Sequence, residues 1–412
     1  MSRPKQGVVV RFCAAGCFLL LACSSGSQSN AADAGDYLYV WTASVDSTQP
    51  DFLAVIDLAE DSGRSGRLVT TLPVPGRRNV PHHTEHEMPA DRQLFANGFA
   101  TGQSFIIDLT DPATPKLAAQ FGDVAGMSHP HSYLRLPSGN VLTTFQNRHE
   151  GNTIAPGGLA EMTPTGQTVR AASAQGPGVH PGTRPYSAVV MPAIDRIVST
   201  TSDMHADSPA SAYLQIWRLS DLTLLNTVPL PNGPLGDEAL LTAEPRLLPD
   251  GKRLLVSTFN CALYLVEDLD RATPTSRLVA SFPRMAGEYC AIPVIVGSYY
   301  LIAVPAWRAV VSLDISDPAA PREVGRLTLG TNDVPHWIAV SPDQRRVVVT
   351  GNAGMRHRVV MARFDPATGT LTLDAGFRNT DQGPAGFSMV GVQWPHGTDA
   401  PGVPHGAVFA RP

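Results

Sequence analysis

The sequence predicts an all-β protein, a seven-bladed β-propeller closed between its N- and C-terminal strands. Three observations carry this expectation. After residue 36 helical periodicity is nearly absent, and short apolar runs are separated by turn residues instead. Comparable runs recur every ~45 to 60 residues, the period of a four-stranded blade. The composition, with 36 Gly, 36 Pro and 16% charged residues, suits many short strands joined by turns.

Taken in order, residues 1–22 read as a secretory signal. Arg3, Lys5 and Arg11 precede an apolar run from Phe12 to Leu21 that is too short to span a bilayer. The run closes on Leu20-Leu21-Ala22-Cys23, which resembles a bacterial lipobox, so cleavage before Cys23 and its lipidation are expected. Residues 23–36 then form a flexible tether, and Ser24 directly after the cysteine points to outer-membrane sorting. The expected location is the bacterial cell envelope, lipid-anchored to the outer membrane and facing the periplasm. The alternative is an ordinary cleaved signal with a periplasmic product. No later apolar stretch has the length of a membrane-spanning helix, so membrane contact is expected through the anchor only.

Residues 37–412 are expected to form a single propeller domain. Its inner strands are placed near His83, His131, Tyr186, Glu244, Cys290, His336 and His405, one to a blade. The strands at 37–41 and 52–57 share a blade with 406–409 in this reading, which closes the ring and removes the exposed edges of an open sheet. Apolar runs at 104–112, 253–258 and 310–318 illustrate the repeat. Ser138-Gly139, Pro249-Asp250-Gly251 and Pro342-Asp343-Gln344 supply turns between first and second strands. Segments 151–158, 205–212 and 381–402, rich in Gly, Pro and Ser, read as loops.

Histidines mark the first strands. Pro81-His82-His83-Thr84-Glu85-His86 sets three imidazoles and a carboxylate in one stretch, and His129-Pro130-His131, Pro335-His336 and Pro404-His405 each precede or open an apolar run. If those runs are innermost strands, the rings converge on one axis, where neutral imidazoles make a ligand set for copper, zinc or iron. His82, His83, His131 and His405 are the candidate metal ligands, with His86, His129 and His336 as secondary candidates. In a regular strand His82 and His83 face opposite sides, so both reach the axis only if a bend or bulge re-aims one.

Glu85 and Glu244 are candidates for fixing a ligand tautomer or for a general base beside the metal. For Glu244 a structural ion pair with Arg246 or Arg184 competes with that role. His149, His180, His205, His357 and His396 read as loop residues. Once Cys13 and Cys17 leave with the signal and Cys23 is lipidated, Cys261 and Cys290 remain. A disulfide or two buried thiols both suit an oxidising envelope.

Other chemistries find no support. A formal net charge of −5 without basic clusters gives no electrostatic footprint for nucleic acid. No GxSxG elbow, P-loop or GxGxxG after a strand occurs.

With these residues in view, the chain resembles the selenium-binding protein and methanethiol oxidase family of seven-bladed propellers. His82-His83, followed by Ile106-Ile-Asp-Leu-Thr-Asp-Pro-Ala-Thr-Pro-Lys116, is similar to the family's first histidine pair and the strand after it. Residues 130–144 are similar to the family's Pro-His-Thr segment, residues 313–322 to a later Asp-Pro edge, and His405 to the last histidine. The resemblance implies copper as the cofactor and His82, His83, His131 and His405 as its ligands. It also implies oxidation of methanethiol by oxygen to formaldehyde, hydrogen sulfide and peroxide. The chain departs from the family in three places: 67–73 lacks the cysteine proposed to hold selenium, Glu85-His86-Glu87-Met88 replaces a CxxC, and Cys290 stands where an inner-strand acid is expected.

Three functions therefore compete. The first is an envelope copper-dependent oxidase of methanethiol or another small reduced sulfur compound. The second is a non-enzymatic copper- or metal-binding lipoprotein on the same fold, and the third is a propeller used as a protein-interaction scaffold.

Overall fold

The computed structural model describes residues 37–411, apart from 61–62, 151–152, 177–178, 181, 205–210, 272, 291 and 352–356. The expected signal, the tether and Cys23 lie outside the described residues, as does His205. Seven antiparallel sheets form seven blades around one axis. Blade 2 shows the plan: Pro81–Thr84, Gln93–Gly98, Gln103–Asp108 and Lys116–Phe121 follow one another from axis to rim. Blade 1 is the exception in connectivity. Its innermost strand is the C-terminal Gly402–Phe409, paired with Tyr37–Ser44, so the two ends of the described chain close the ring. No edge of the ring is left open, which answers the liability of unpaired strand edges.

The five other inner strands are Met127–Arg135, Pro185–Met191, Thr242–Leu247, Val294–Val296 and Pro335–Val340, in blades 3 to 7. They hold the expected positions His131, Tyr186, Glu244 and His336. Cys290 lies in the loop ahead of Val294–Val296 rather than in the strand, and is joined to Cys261 by a disulfide across 29 residues. Its sulfur is therefore committed and offers no ligand to the axis.

The apolar runs prove to be middle strands. Phe52–Asp57 and Leu254–Thr258 are buried at every position, because each lies between neighbouring blades on both faces. Rim strands such as Lys116–Phe121 alternate exposed and half-buried residues, as a one-sided strand should. The core is correspondingly divided among blade interfaces: one cluster joins Leu38, Val40 and Phe52 of blade 1 to Trp337, Val348 and Met361 of blade 7, and another joins blades 5 and 6 around Leu263 and Ile302.

Two loop expectations are corrected. Most of 151–158 belongs to a long hairpin, Val141–Glu150 with Thr153–Met162, and His149 is thereby a strand residue. The ladder there pairs Ala155 with Arg148, Pro156 with Asn147 and Gly158 with Phe145, and this pairing outweighs the Gly and Pro content. Among the described residues no helix is long and apolar enough to cross a membrane.

Candidate metal centre

Six of the seven inner strands carry one extra residue relative to the second strand of their blade, or of Tyr37–Ser44 in blade 1. In blade 2, Pro81 and Thr84 pair with Gly98 and Ala96, so three steps oppose two at His82-His83. The same offset falls at His131-Ser132, Tyr186-Ser187, Ala243-Glu244, His336 and His405-Gly406. Each is a β-bulge, a device that re-aims side chains and frees backbone groups from the ladder.

A proline precedes the bulge in five of these strands (Pro81, Pro130, Pro185, Pro335 and Pro404), where its missing N–H costs no ladder bond.

The backbone groups freed by the bulges are met by side chains of the second strands. The amides of His83, Ser132, Ser187 and Glu244 donate to Asn97 Oδ1, Thr144 Oγ1, Thr200 Oγ1 and Ser257 Oγ at 2.6, 3.0, 3.1 and 3.2 Å. Three of these residues also reach the next blade. Asn97 Nδ2 donates to the Pro130 and His131 carbonyls, Thr144 Oγ1 to that of Tyr186 and Thr200 Oγ1 to that of Ala243. The bulges are thus clipped into a belt at one height of the channel. Gly406 completes it: a Cβ there would lie 2.9 Å from the Thr84 nitrogen and 3.0 Å from the His82 carbonyl, so only glycine lets blades 1 and 2 approach.

Inside the belt five imidazoles meet. Ring centroids are 4.4 Å apart for His82 and His83, 4.2 Å for His83 and His131, 4.3 Å for His82 and His405, and 4.8 Å for His336 and His405. Two overlapping triads result, His82-His83-His131 and His82-His336-His405, each with one ligand atom per residue within 4.8 Å of the others. His83 and His131 are 0% exposed, and His405, His336 and His82 only 4%, 5% and 8%.

Burial and the neighbouring rings keep this cluster neutral. Desolvation holds His131 down to about 3 and His336 to about 4, and drives His82, His83 and His405 well below the ordinary imidazole range. Tautomers follow from the partners. His131 Nδ1 lies 2.9 Å from the Tyr186 carbonyl, so that nitrogen carries the proton and Nε2 keeps its lone pair. Among the described residues, Nε2 of His131, Nδ1 of His82 and Nε2 of His336 are buried without a hydrogen-bond partner, while the His405 ring lies against the His82 backbone, which offsets part of the pull of burial on it. Such a set of unpaired nitrogen atoms fits a borderline transition-metal ion such as copper or zinc.

One layer further along the channel are Tyr186, His86, Trp337, Glu244 and Arg246. The Tyr186 hydroxyl stands 3.3 Å from His83 Nε2, and His86 stacks on Trp337 at 4.7 Å. Arg246 donates to Glu244 Oε2 at 2.6 Å and to His86 Nε2 at 3.2 Å, and Ser187 Oγ also donates to Glu244 Oε2. Glu244 Oε1 is buried without a partner. Glu244 therefore pairs with Arg246, while Arg184 bonds Asn147 and the Ala155 carbonyl. A cavity of about 980 Å³ lies beyond, at the C-terminal ends of the inner strands, and its walls include Glu85, His86, Arg135 and Arg246.

The structure brings His82, His83, His131, His336 and His405 together and sets the other predicted site residues apart. His86 is 6.4 Å from His83 with its Nε2 engaged by Arg246. His129, at φ 57°, turns its Nδ1 to Ser128 Oγ and Asn147 Nδ2. Glu85 meets the Arg135 guanidinium and the Phe95 amide; burial pushes its carboxyl up to about 7 against the pull of Arg135.

Tyr186, Asn97 and Trp337 are members of the site that their residue types alone do not announce. A signal for Tyr186 was present: Pro185-Tyr186-Ser187 repeats Pro130-His131-Ser132 with a phenol in place of an imidazole.

No family model matches the chain. It is 34% identical over 140 residues to a methanethiol oxidase of Hyphomicrobium sp., a match covering 32% of this chain and 31% of the relative. A second, to a methanethiol oxidase of Ruegeria pomeroyi, is 34% identical over 128 residues and covers 29% of each. Selenium-binding protein 3 of Arabidopsis thaliana matches at 26% over 126 residues, 27% of this chain and 26% of the relative. The matched segments thus span under a third of these relatives' length.

Among solved structures, a hypothetical selenium-binding protein from Sulfolobus tokodaii has a TM-score of 0.72 at 17% identity, covering 91% of this chain and 93% of that one. A periplasmic gluconolactonase of Pseudomonas aeruginosa has a TM-score of 0.59 at 14% identity, covering 91% and 99%. These two likenesses concern the propeller fold. Over the matched segment, the chain is a divergent homologue of the methanethiol oxidases and selenium-binding proteins.

Proposed function

We propose that this chain is an envelope copper-binding propeller that oxidises methanethiol or another small reduced sulfur compound with oxygen. The observation that carries the reading is the axial cluster of five buried, neutral imidazoles, among which His82, His131 and His336 hold ring nitrogens without a hydrogen-bond partner. Copper held there supplies a Lewis acid that lowers the pKa of a thiol, and a path for electrons to oxygen. The chain's own residues prepare the place. The Tyr186 carbonyl fixes the tautomer of His131, and Phe99, Tyr186 and Trp337 pack around the rings and keep water out. His86 and Arg246 stand between the cavity and His83, where a small thiol would approach. Lipidation of Cys23 would hold the propeller at the outer membrane facing the periplasm.

The test is metal content by mass spectrometry on anchor-free protein purified from the envelope, wild type beside His82→Ala/His405→Ala, with methanethiol-dependent oxygen uptake measured on both. Copper and oxygen uptake lost together in the variant are the expected result. No bound metal after copper loading would sink the reading.

A second reading, metal binding without catalysis, is favoured by the complete burial of His83 and His131 and by cavity walls that reach His86 and Arg246 rather than the cluster. Closed ligand shells belong to structural metal sites, whereas catalytic ones keep a position open. Bound copper without oxygen uptake for any small thiol would select it.

A further inference from the structure

We propose that the channel holds two metal ions rather than one, and that His336 is a ligand of the second. The inference rests on the metal-binding reading above and concerns how the five histidines divide. They form two overlapping triads that share His82, one with His83 and His131 and the other with His336 and His405. The ring contacts follow that division, with His83 against His131 at 4.2 Å and His336 against His405 at 4.8 Å.

A single four-coordinate ion does not serve all five rings. With metal–nitrogen distances of about 2.0–2.1 Å and four-fold coordination, an ion held by His82, His83 and His131 has room for one more imidazole. His405 could supply it through one nitrogen. Nε2 of His336 would remain buried without a hydrogen-bond partner. An ion between His82, His336 and His405 would engage that atom. His82 belongs to both triads, and it would serve both ions through its two ring nitrogens with its ring proton released to solvent.

The second triad is also held from outside, as a ligand set requires. The Thr350 hydroxyl donates to the His405 carbonyl at 2.5 Å, and the bulge at His336 turns that ring toward blade 1. The donor set is imidazole throughout, so the second ion is of the same borderline class as the first, copper or zinc.

Untagged mature protein is to be loaded with copper(II), desalted and analysed for copper per chain, alongside His336→Ala and His131→Ala, with His336→Gln as the substitute should His336→Ala fail to fold. Circular dichroism of the metal-free proteins checks folding. Two coppers per chain in the wild type, falling to one in each variant, are expected. A single copper in the wild type, or two retained after loss of His336, would overturn the proposal while leaving metal binding intact. No copper in the wild type would overturn the underlying reading and this one with it.

Discussion

The rings of His82 and His83 lie nearly parallel, 13° apart in plane with centroids separated by 4.4 Å, although the two are successive residues of one strand. A regular strand sends neighbours to opposite faces. The extra residue between Pro81 and Thr84 removes that alternation and turns both imidazoles into the channel. The site is therefore built from irregularities of the sheet, and the residues that hold those irregularities are open to test.

Asn97 is the first. It accepts from the His83 amide and donates to the Pro130 and His131 carbonyls, bridging blades 2 and 3. Asn97→Ala leaves three buried backbone groups unmet and is expected to cost about 2–4 kcal/mol. Metal affinity is expected to fall roughly 10- to 100-fold, as when a supporting partner of a ligand is lost. Denaturant unfolding and a metal titration measure the two; stability within about 0.5 kcal/mol of wild type would mean that the bulge does not depend on this side chain.

Tyr186 plays two parts that mutation separates. Its carbonyl orients His131, while its hydroxyl stands 3.3 Å from His83 Nε2. Tyr186→Phe keeps the first and removes the second. The metal-free protein is expected to lose about 1 kcal/mol, and metal to bind as tightly as before or up to about fivefold tighter, because a competitor for a lone pair is gone. A tenfold loss of affinity would instead make the phenol a support of the bound ion.

Acid should destabilise the metal-free protein from near pH 6.5 downward. In the unfolded chain the imidazoles titrate near 6.5; in the fold, burial holds His131 to about 3 and His336 to about 4, with His82, His83, His86 and His405 also well below the ordinary range. Between those limits the unfolded state binds more protons, so stability falls as pH falls and levels off once the folded groups titrate. Glu85, raised to about 7, acts in the opposite sense between about 7 and 4.5, but it is one group against six. A thermal-melt series from pH 7.5 to 4 should show a continuous decline; a flat profile would mean that the rings are hydrated or already charged.

Reducing the Cys261–Cys290 bridge releases a loop of 29 residues ahead of the inner strand of blade 6. Loop-closure entropy puts its contribution at about 3–4 kcal/mol. Cys261→Ser/Cys290→Ser is expected to lower the unfolding midpoint accordingly while leaving copper stoichiometry unchanged, since neither sulfur reaches the histidine cluster.

The architecture was legible because it repeats. Turn chemistry at Ser138-Gly139 and Pro249-Asp250-Gly251, the run at 52–57 and the C-terminal 406–409 are local signals, and the closure of blade 1 by Gly402–Phe409 follows from them. The Pro-His starts were legible for a related reason: proline removes a ladder donor, and an imidazole beside it in an apolar run needs a partner.

What tertiary structure alone decided is who meets whom. Whether His129 or His131 enters the channel, whether His336 joins His405, and whether Glu244 serves an imidazole or Arg246 depend on one extra residue in each inner strand and on the side chain behind it that accepts the freed amide. A bulge shifts a side chain by half a pleat, and no periodicity in the chain encodes that shift, because it is set by the hydrogen bonds of the neighbouring strand and the next blade. The sequence by itself determined a closed ring of blades with histidines at its inner strands; the packing of one blade against the next determined which of their nitrogens face a common point.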